Sequence, residues 1–589
     1  MGFAPLLLLL QAWSPPQVPP DSAKALRELA QRAEWTYEYL LRSMAPVRIG
    51  RPPTTDYCDE IIGRFCLTFD GGRDNARRPD TTVAGKVVSA RQVAVDMLRR
   101  AFSGLPGDIA TVGPLLRYLV EDGRAEEAVA AARTFAWASG DSVWGPFLIG
   151  YSLHAARQDS LAELYFRDGI RHLSETERNR ILRVTYLLDP DEQSVYKKLS
   201  DAEKEKYEAA LWHLGDPLYL TPGNERYIEH LARHVWSLML ASAPVVYRAH
   251  RWGDDLEQLT VRYGVPTSRE RVLGDLLMSE FMTEYYDPEQ LAYLPENLYT
   301  RGIPPTPPPG AKWDLDPERP RSGYRPLTIR RLLPLTHQVS RFPAPRGRSI
   351  LRIDASFVLD DDARQASRAR TGLFILDSTY LPIHERRATI PIDGDTIRLT
   401  AEVELAAGRY VYSYELFEDS TRFAGRARYG VEIPDPGPSG MALSDPVVAA
   451  PFGSDSLPRS RNDPRLRPRA SLILSSGETI GLYAEGHHLA IGPDNTSHFT
   501  VSLTVGPADT PSLFARAWGW VGRKLGVSKP AETPRLSWDG SVPAGHPAII
   551  AVDFPLTELK PGLYAIELKL TDRVSRAEVV TSRLIRIEQ

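Results

Sequence analysis

Cysteine is almost missing from this chain: Cys58 and Cys66 are the two among 589 residues. A structural zinc site needs four ligands, and no second Cys pair or His pair stands at finger spacing, so that class of site is excluded. Neither sign of charge dominates. The 71 Lys and Arg residues against 75 Asp and Glu leave a net charge of -4, without the basic excess that a nucleic-acid binder carries. Long hydrophobic runs are lacking too. The run Leu6 to Leu10 is too short to span a bilayer, and no stretch of about 20 apolar residues occurs elsewhere. No Gly-x-Ser-x-Gly elbow, phosphate loop or dinucleotide fingerprint is present, so no cofactor is expected. Asp70-Gly71-Gly72-Arg73-Asp74 lacks the oxygen spacing and terminal Glu of a calcium loop.

What is present fits a large globular protein. Hydrophobic residues make up 42% and charged residues 25%, enough to bury cores along most of the chain. The length corresponds to roughly three to five domains. Proline is abundant, with 49 residues concentrated in connectors, as expected of domains joined by stiff linkers. At the N-terminus, Leu6 to Leu10 followed by Gln11-Ala12 resembles a signal-peptide core with a small residue near its cleavage point, although no Lys or Arg precedes it. Residues 1–21 therefore read as a signal segment and Pro-rich leader, and the chain as periplasmic or secreted. An oxidising compartment would join Cys58 to Cys66 in a short-loop disulfide, the alternative being two buried thiols.

Hydrophobic periodicity divides the rest. Residues 22–195 read as helices, with Leu115, Leu116, Leu119 and Val120, then Ala128, Val129, Ala132 and Phe135, at three- and four-residue spacing. Aligning Ala128 with Ala162 gives a step of 34, the tetratricopeptide period, over about two units. Residues 196–300 form a mixed α+β region, with helices at Asp201–Trp212, Asn224–Leu240 and Leu273–Tyr286 and a strand at Gln258–Tyr263. Residues 301–348 read as a Pro- and Arg-rich linker with a polyproline run at 303–310. Arginines 319, 321, 325, 330, 331, 341, 346 and 348 could meet an anionic partner, but a solvated linker is the plainer reading. From Ile350 the period becomes two, giving β-sandwiches at 349–435 and 436–589. Tyr410 and Tyr564 each follow a glycine turn and are expected to be buried at equivalent points. Ser512–Gly526 reads as an inserted aromatic helix.

One stretch resembles a known family. In Arg251-Trp252-Gly253-Asp254-Asp255, followed by Tyr263-Gly264-Val265-Pro266, the residues Trp252, Asp255, Tyr263, Gly264 and Pro266 match the signature of the bacterial GWxTD-domain proteins. Arg251 and Asp254 depart from it. Trp212, Asp216-Pro217, Thr221-Pro222, Asn224-Glu225, Glu229-His230 and Arg233 upstream, and Met441-Ala442-Leu443-Ser444-Asp445 downstream, are similar to the family in the same order. The resemblance covers residues 200–589 and implies an exported protein with no assigned reaction.

The densest acidic cluster lies in that motif. Asp255 and Glu257, two apart on a strand, would share a face and could act as acid and base in a hydrolase. The preferred reading makes Asp255 a turn carboxylate over Trp252. His230 and His234 have the i,i+4 spacing of metal ligands but lack the Glu of the zincin pattern, so ordinary packing is expected. Trp518 and Trp520 could stack on a glycan, though core packing is the plainer assignment. Together these features favour a cell-envelope scaffold that binds protein partners, in an envelope complex or peripherally on a membrane. A hydrolase at Asp255 and Glu257 and a glycan-binding module are the alternatives.

Overall fold

The computed structural model describes the chain except residues 1–19, 46, 50–59, 69–84, 183, 189, 244–251, 265–267, 274–279, 286–325, 334, 360, 362, 436–439, 454–456, 509–534, 558 and 589. Cys58, Pro266, Trp518 and Trp520 fall among the exceptions, and with them the disulfide, the last motif residue and the aromatic helix at Ser512–Gly526. The chain divides into two compact units, and among the described residues the first ends at Thr328 and the second starts at Ile329.

The first unit is built on helices. Helices α1 (Pro20–Met44), α2 (Gly85–Gly104), α3 (Ile109–Glu121), α4 (Ala125–Ser139), α5 (Trp144–Ala155) and α6 (Asp159–Arg171) pack as successive antiparallel pairs. Ala128 on α4 and Ala162 on α6 are fully buried, as the 34-residue step requires of small residues between packed helices. Helices α7 (Glu175–Leu182), α8 (Pro190–Tyr196), α9 (Asp201–Gly215) and α10 (Glu225–Ala241) follow. Helix α10 lays Ile228, Leu231, Ala232, Val235 and Met239 against α3, α5 and α6 in one continuous core. Almost every residue of α3 and α5 is consequently buried or half-buried. The surface that helical repeats commonly offer to other proteins is here covered by the chain's own α10.

Three expectations need correction. The strand at Gln258–Tyr263 is helix α11 (Asp254–Tyr263). Leu256, Leu259 and Tyr263 satisfy a helical period as well as a strand period, and short runs cannot separate the two. Three acidic residues in its first turn and Gly264 after its last favour the helix. Where a helix was expected at Leu273–Tyr286, the described residues, Leu273 and 280–285, are strand. Strands β1 (Val47–Ile49), β2 (Glu60–Ile62), β3 (Phe65–Thr68), β4 (Ser268–Leu273) and β5 (Glu280–Tyr285) form one sheet of order β1-β4-β5-β3-β2. Strands β1 to β3 come from the segment read as all-helical, and residues 22–195 and 196–300 share this sheet and one compact unit.

The second unit consists of two β-sandwiches. In the first, β6 (Arg331–Leu332), β7 (Leu335–Ala344), β8 (Arg348–Val358), β9 (Arg368–Leu376), β10 (Pro382–Pro391), β11 (Thr396–Ala406), β12 (Gly408–Phe417) and β13 (Phe423–Ile433) form sheets β10-β9-β12-β13-β6 and β11-β8-β7. Leu351, Ile353, Leu373, Ile375, Tyr412 and Val403 fill the space between them. The linker thus ends before β6, well short of 348, and Arg341 is a strand residue. The second sandwich adds β14 (Ala442–Leu443), β15 (Val447–Ala449), β16 (Ile473–Ser475), β17 (Thr479–His487), β18 (Thr496–Pro507), β19 (Arg535–Pro543), β20 (Ala548–Pro555), β21 (Gly562–Asp572) and β22 (Glu578–Glu588). Its sheets run β14-β17-β15, with β20 on β17, and β16-β22-β21-β18-β19. Tyr410 and Tyr564 open equivalent strands β12 and β21, but each is half-buried at the rim of its core, because it lies next to the turn.

The sandwiches are locked together. Arg341 donates to both carboxylate oxygens of Asp445, at 2.8 and 2.9 Å. The Gln338 side-chain amide pairs with the Val448 backbone as a strand would, at 2.9 and 2.8 Å. Phe342, Val447, Phe452, Leu466 and Tyr483 close an apolar cluster at the junction. Asp445 ends the Met441–Asp445 segment, which gives that segment a structural task.

Candidate functional site

The motif residues converge where α9, α10 and α11 meet. Asn224 caps α10: its Oδ1 accepts from the Tyr227 N–H at 3.0 Å, and its Nδ2 donates to the Trp212 carbonyl at 2.8 Å. One turn further, Glu229 is half-buried between Arg233 and His154, whose Nε2 lies 2.7 Å away. His154 Nδ1 meets Asp159 at 2.6 Å. Burial alone would neutralise these groups. It raises the Glu229 carboxyl, yet Arg233 and His154 together hold it well below the usual range. Burial likewise disfavours a charged His154, and the two carboxylates override it, lifting the imidazole to about 10. Glu225, at the start of α10, is raised by burial and accepts from Thr328 Oγ1 and the Leu327 N–H.

Arg233 reaches the far end of α11, donating from Nη1 to the Arg262 carbonyl at 2.7 Å. It thereby satisfies a helix C-terminus whose last carbonyls lack intrahelical partners. Gly264 follows with φ +73°, and a Cβ there would come within 3.1 Å of the Arg233 guanidinium. Both the backbone angle and the close approach call for glycine. Tyr263 is buried with Ile62, Phe65, Leu240, Leu256 and Leu259, and Trp252 packs against the same cluster.

Asp255 stands in the first turn of α11. Its Oδ2 accepts from Arg64 Nε at 2.6 Å and its Oδ1 from Arg64 Nη2 at 2.8 Å and the Leu256 N–H at 2.8 Å. Hydrogen bonds from Arg64 dominate in holding the carboxyl at about 2. Arg64 belongs to the turn joining β2 to β3. At Gly63 of that turn, with φ +52°, a Cβ would fall 2.4 Å from the Asp255 Cβ. Only a glycine at position 63 leaves room for the Asp255 side chain. Glu257 turns elsewhere and is gripped by both Nε (3.0 Å) and Nη2 of Arg180 on α7. Residues i and i+2 on a helix are separated by about 200°, so the change from strand to helix takes the two carboxylates off one face. Each has its own arginine, and the structure does not bring them together as an acid–base pair.

His230 and His234 share a face of α10, with ring centroids 4.6 Å apart. His230 Nε2 donates to the Ile181 carbonyl at 3.2 Å, while His234 stacks on Tyr186. Burial pushes both imidazoles down, His234 to about 3 and His230 well below its usual value. Among the described residues, no group of three or more His, Cys, Asp or Glu is arranged for a metal ion. Sequence reasoning missed Arg64, Arg180, His154 and Asp159. Their partners lie between 5 and 191 residues away, and no local pattern marks them.

A different feature stands out in the second unit. Among the described residues, strand β10 is the ten-residue edge of its sheet and pairs with β9 alone. Eight of its residues are exposed and the other two half-buried. Exposed Leu381 and Ile383 stand at one end, and His384, Glu385, Arg386 and Arg387 follow. An edge strand presents its outer row of backbone groups to any extended segment that approaches it.

No family model matches this sequence, and no curated protein does. Among solved structures, the chain is similar to Salmonella alpha-2-macroglobulin reacted with methylamine, at 11% identity and a TM-score of 0.14. The similarity covers 45% of this chain and 17% of that one, so the chain spans less than a fifth of that protein's length.

Proposed function

We propose that this chain is an exported scaffold of the cell envelope that holds a partner protein by adding an extended segment to the β10 edge. The observation that carries the reading is β10 itself, a full-length strand that buries almost no side chain in its own sandwich. Strand addition uses such an edge: main-chain hydrogen bonds supply affinity and alternating side chains supply selectivity. The second support is negative for catalysis. Asp255 and Glu257 are occupied by Arg64 and Arg180 and serve to seat α11. The likeness to GWxTD-domain proteins and the apolar Leu6–Leu10 run support export, under which Cys58 and Cys66 form a disulfide. Mass analysis of the unreduced protein tests that bond, and two free thiols would remove it.

The deciding experiment places a photo-crosslinking residue at Thr389 and captures neighbours from native membranes. A discrete partner crosslinked from Thr389, and absent from a control probe at exposed Arg171 in the other unit, is the expected result. Identical capture from both sites would reject the edge. Glycan or peptide turnover lost in folded Asp255→Asn would favour the hydrolase instead.

A further inference from the structure

The backbone of β10 fixes where an added strand can pair. Ile392 continues the ladder beyond β10, its N–H donating to the Ser367 carbonyl at 2.9 Å. Hydrogen-bonded pairs alternate along an antiparallel ladder. The register sets Ile390 opposite Ala369, Ala388 opposite Thr371, Arg386 opposite Leu373 and His384 opposite Ile375, so these four residues bond β9. Glu385 and Thr389 turn their N–H and C=O groups the other way, towards an incoming strand. Pro391 ends that row, because it has no N–H to offer.

The two faces of β10 differ in charge. Residues directly opposite each other in a ladder share a face, and Leu373 and Ile375 belong to the core of the first sandwich. Arg386 and His384 therefore lie on the core-side face, and Glu385 and Arg387 on the other. Glu385 and Arg387 pair with each other, and Arg387 also lies over the Phe374 ring. That outer face is thus neutralised by its own ion pair. The core-side face of β10 has no carboxylate, since His384, Arg386, Ala388 and Ile390 follow in turn. Arg386 and Ala388 are exposed, so the three-stranded sheet opposite stops short of β10. Among the described residues, the Arg386 guanidinium makes no ion pair and no hydrogen bond. His384 Nε2 is shielded from solvent without a hydrogen-bond partner.

An added strand sets its own side chains beside this row, at a Cβ spacing of about 5 Å. A carboxylate opposite Arg386 meets an unmatched guanidinium, whereas a lysine or arginine meets like charge. Exposed Leu381 and Ile383 add an apolar contact at one end. On the strand-addition reading above, we infer that the segment added to β10 is acidic: an extended peptide whose carboxylates line the face shared with Arg386 and His384.

Two synthetic peptides of about eight residues separate this inference from the reading it rests on. One alternates valine with aspartate and the other valine with lysine. Both are capped at their ends and offered to the full chain carrying a photo-crosslinking residue at Thr389. The Val/Asp peptide should crosslink, and should bind about tenfold more tightly than Val/Lys by fluorescence anisotropy. Arg386→Glu should reverse that order. The side chain is exposed, so an unchanged far-UV circular dichroism spectrum is expected of the variant. A Val/Asp peptide N-methylated at alternate residues keeps its charges but loses ladder donors, and should not crosslink. Equal crosslinking of Val/Asp and Val/Lys leaves strand addition standing and overturns the acidic partner. A preference for Val/Asp that survives Arg386→Glu overturns it too. Capture of the N-methylated peptide, or no crosslink from either peptide at about 1 mM, removes the edge and the acidic partner together.

Discussion

Replacing Asp255 with Asn tests whether the motif carboxylate builds structure or performs chemistry. Its carboxyl is held at about 2, against an ordinary 3.8. Each tenfold change in proton affinity corresponds to about 1.4 kcal/mol, so the whole gap would be worth roughly 2.4 kcal/mol. The Arg64 side chain is 51% exposed, however, and solvent screens an open pair, leaving about 1 kcal/mol. Asparagine keeps an oxygen for the Leu256 N–H and loses the charge. A depressed carboxyl pKa contributes stability that is present above pH 3.8 and lost as pH falls through about 2. Asp255→Asn should therefore be about 1 kcal/mol less stable than the wild type at pH 7 in denaturant melts. The difference should shrink steadily below pH 4. A gap that persists unchanged at pH 2.5, or one above about 3 kcal/mol, would refute the screened-ion-pair argument. Loss of an enzymatic activity in a variant of unchanged stability would refute the structural role itself.

Three further outcomes follow from other contacts. Asp445→Ala removes the acceptor of Arg341 at the sandwich junction and should cost about 3–5 kcal/mol, splitting the calorimetric transition of the second unit; an unchanged single transition would contradict the lock. Gly264→Ala forces a Cβ at φ +73° against Arg233 and should cost about 1–3 kcal/mol. Gly123→Ala, at φ +74° with open space around it, should cost less, and equal losses would show that Arg233 simply moves aside. His154 is held at about 10 rather than 6.5, so its contribution is complete below pH 6.5 and declines as pH rises towards 10. Melting temperature should therefore fall more between pH 6 and 9.5 in the wild type than in His154→Gln, and parallel curves would exclude the buried imidazolium.

Periodicity read from the sequence located the helical pairs, the 34-residue step between Ala128 and Ala162, and both sandwiches, because each depends on which face of a local element must be apolar. Four residues singled out in the sequence, Trp252, Asp255, Tyr263 and Gly264, all take part in one structural junction. The local conformation there was not legible. Leu256, Leu259 and Tyr263 suit either period, and the outcome was set by packing on Ile62 and Phe65, nearly 200 residues earlier. The pairing of β3 with β5 and of β1 with β4 was likewise invisible, since strands of three or four residues carry too little pattern to announce a long-range partner. Which arginines are solvated also lay beyond the sequence: Arg341 looked like its linker neighbours until Asp445 closed on it. The same holds for the carboxylates, because Asp255 and Glu257 differ little in local sequence. What separates them is 100° of helical rotation per residue and the arginine waiting on each side. Local hydrophobic patterns are written in the chain; the partners of its charges are assigned only when distant segments meet and exclude water.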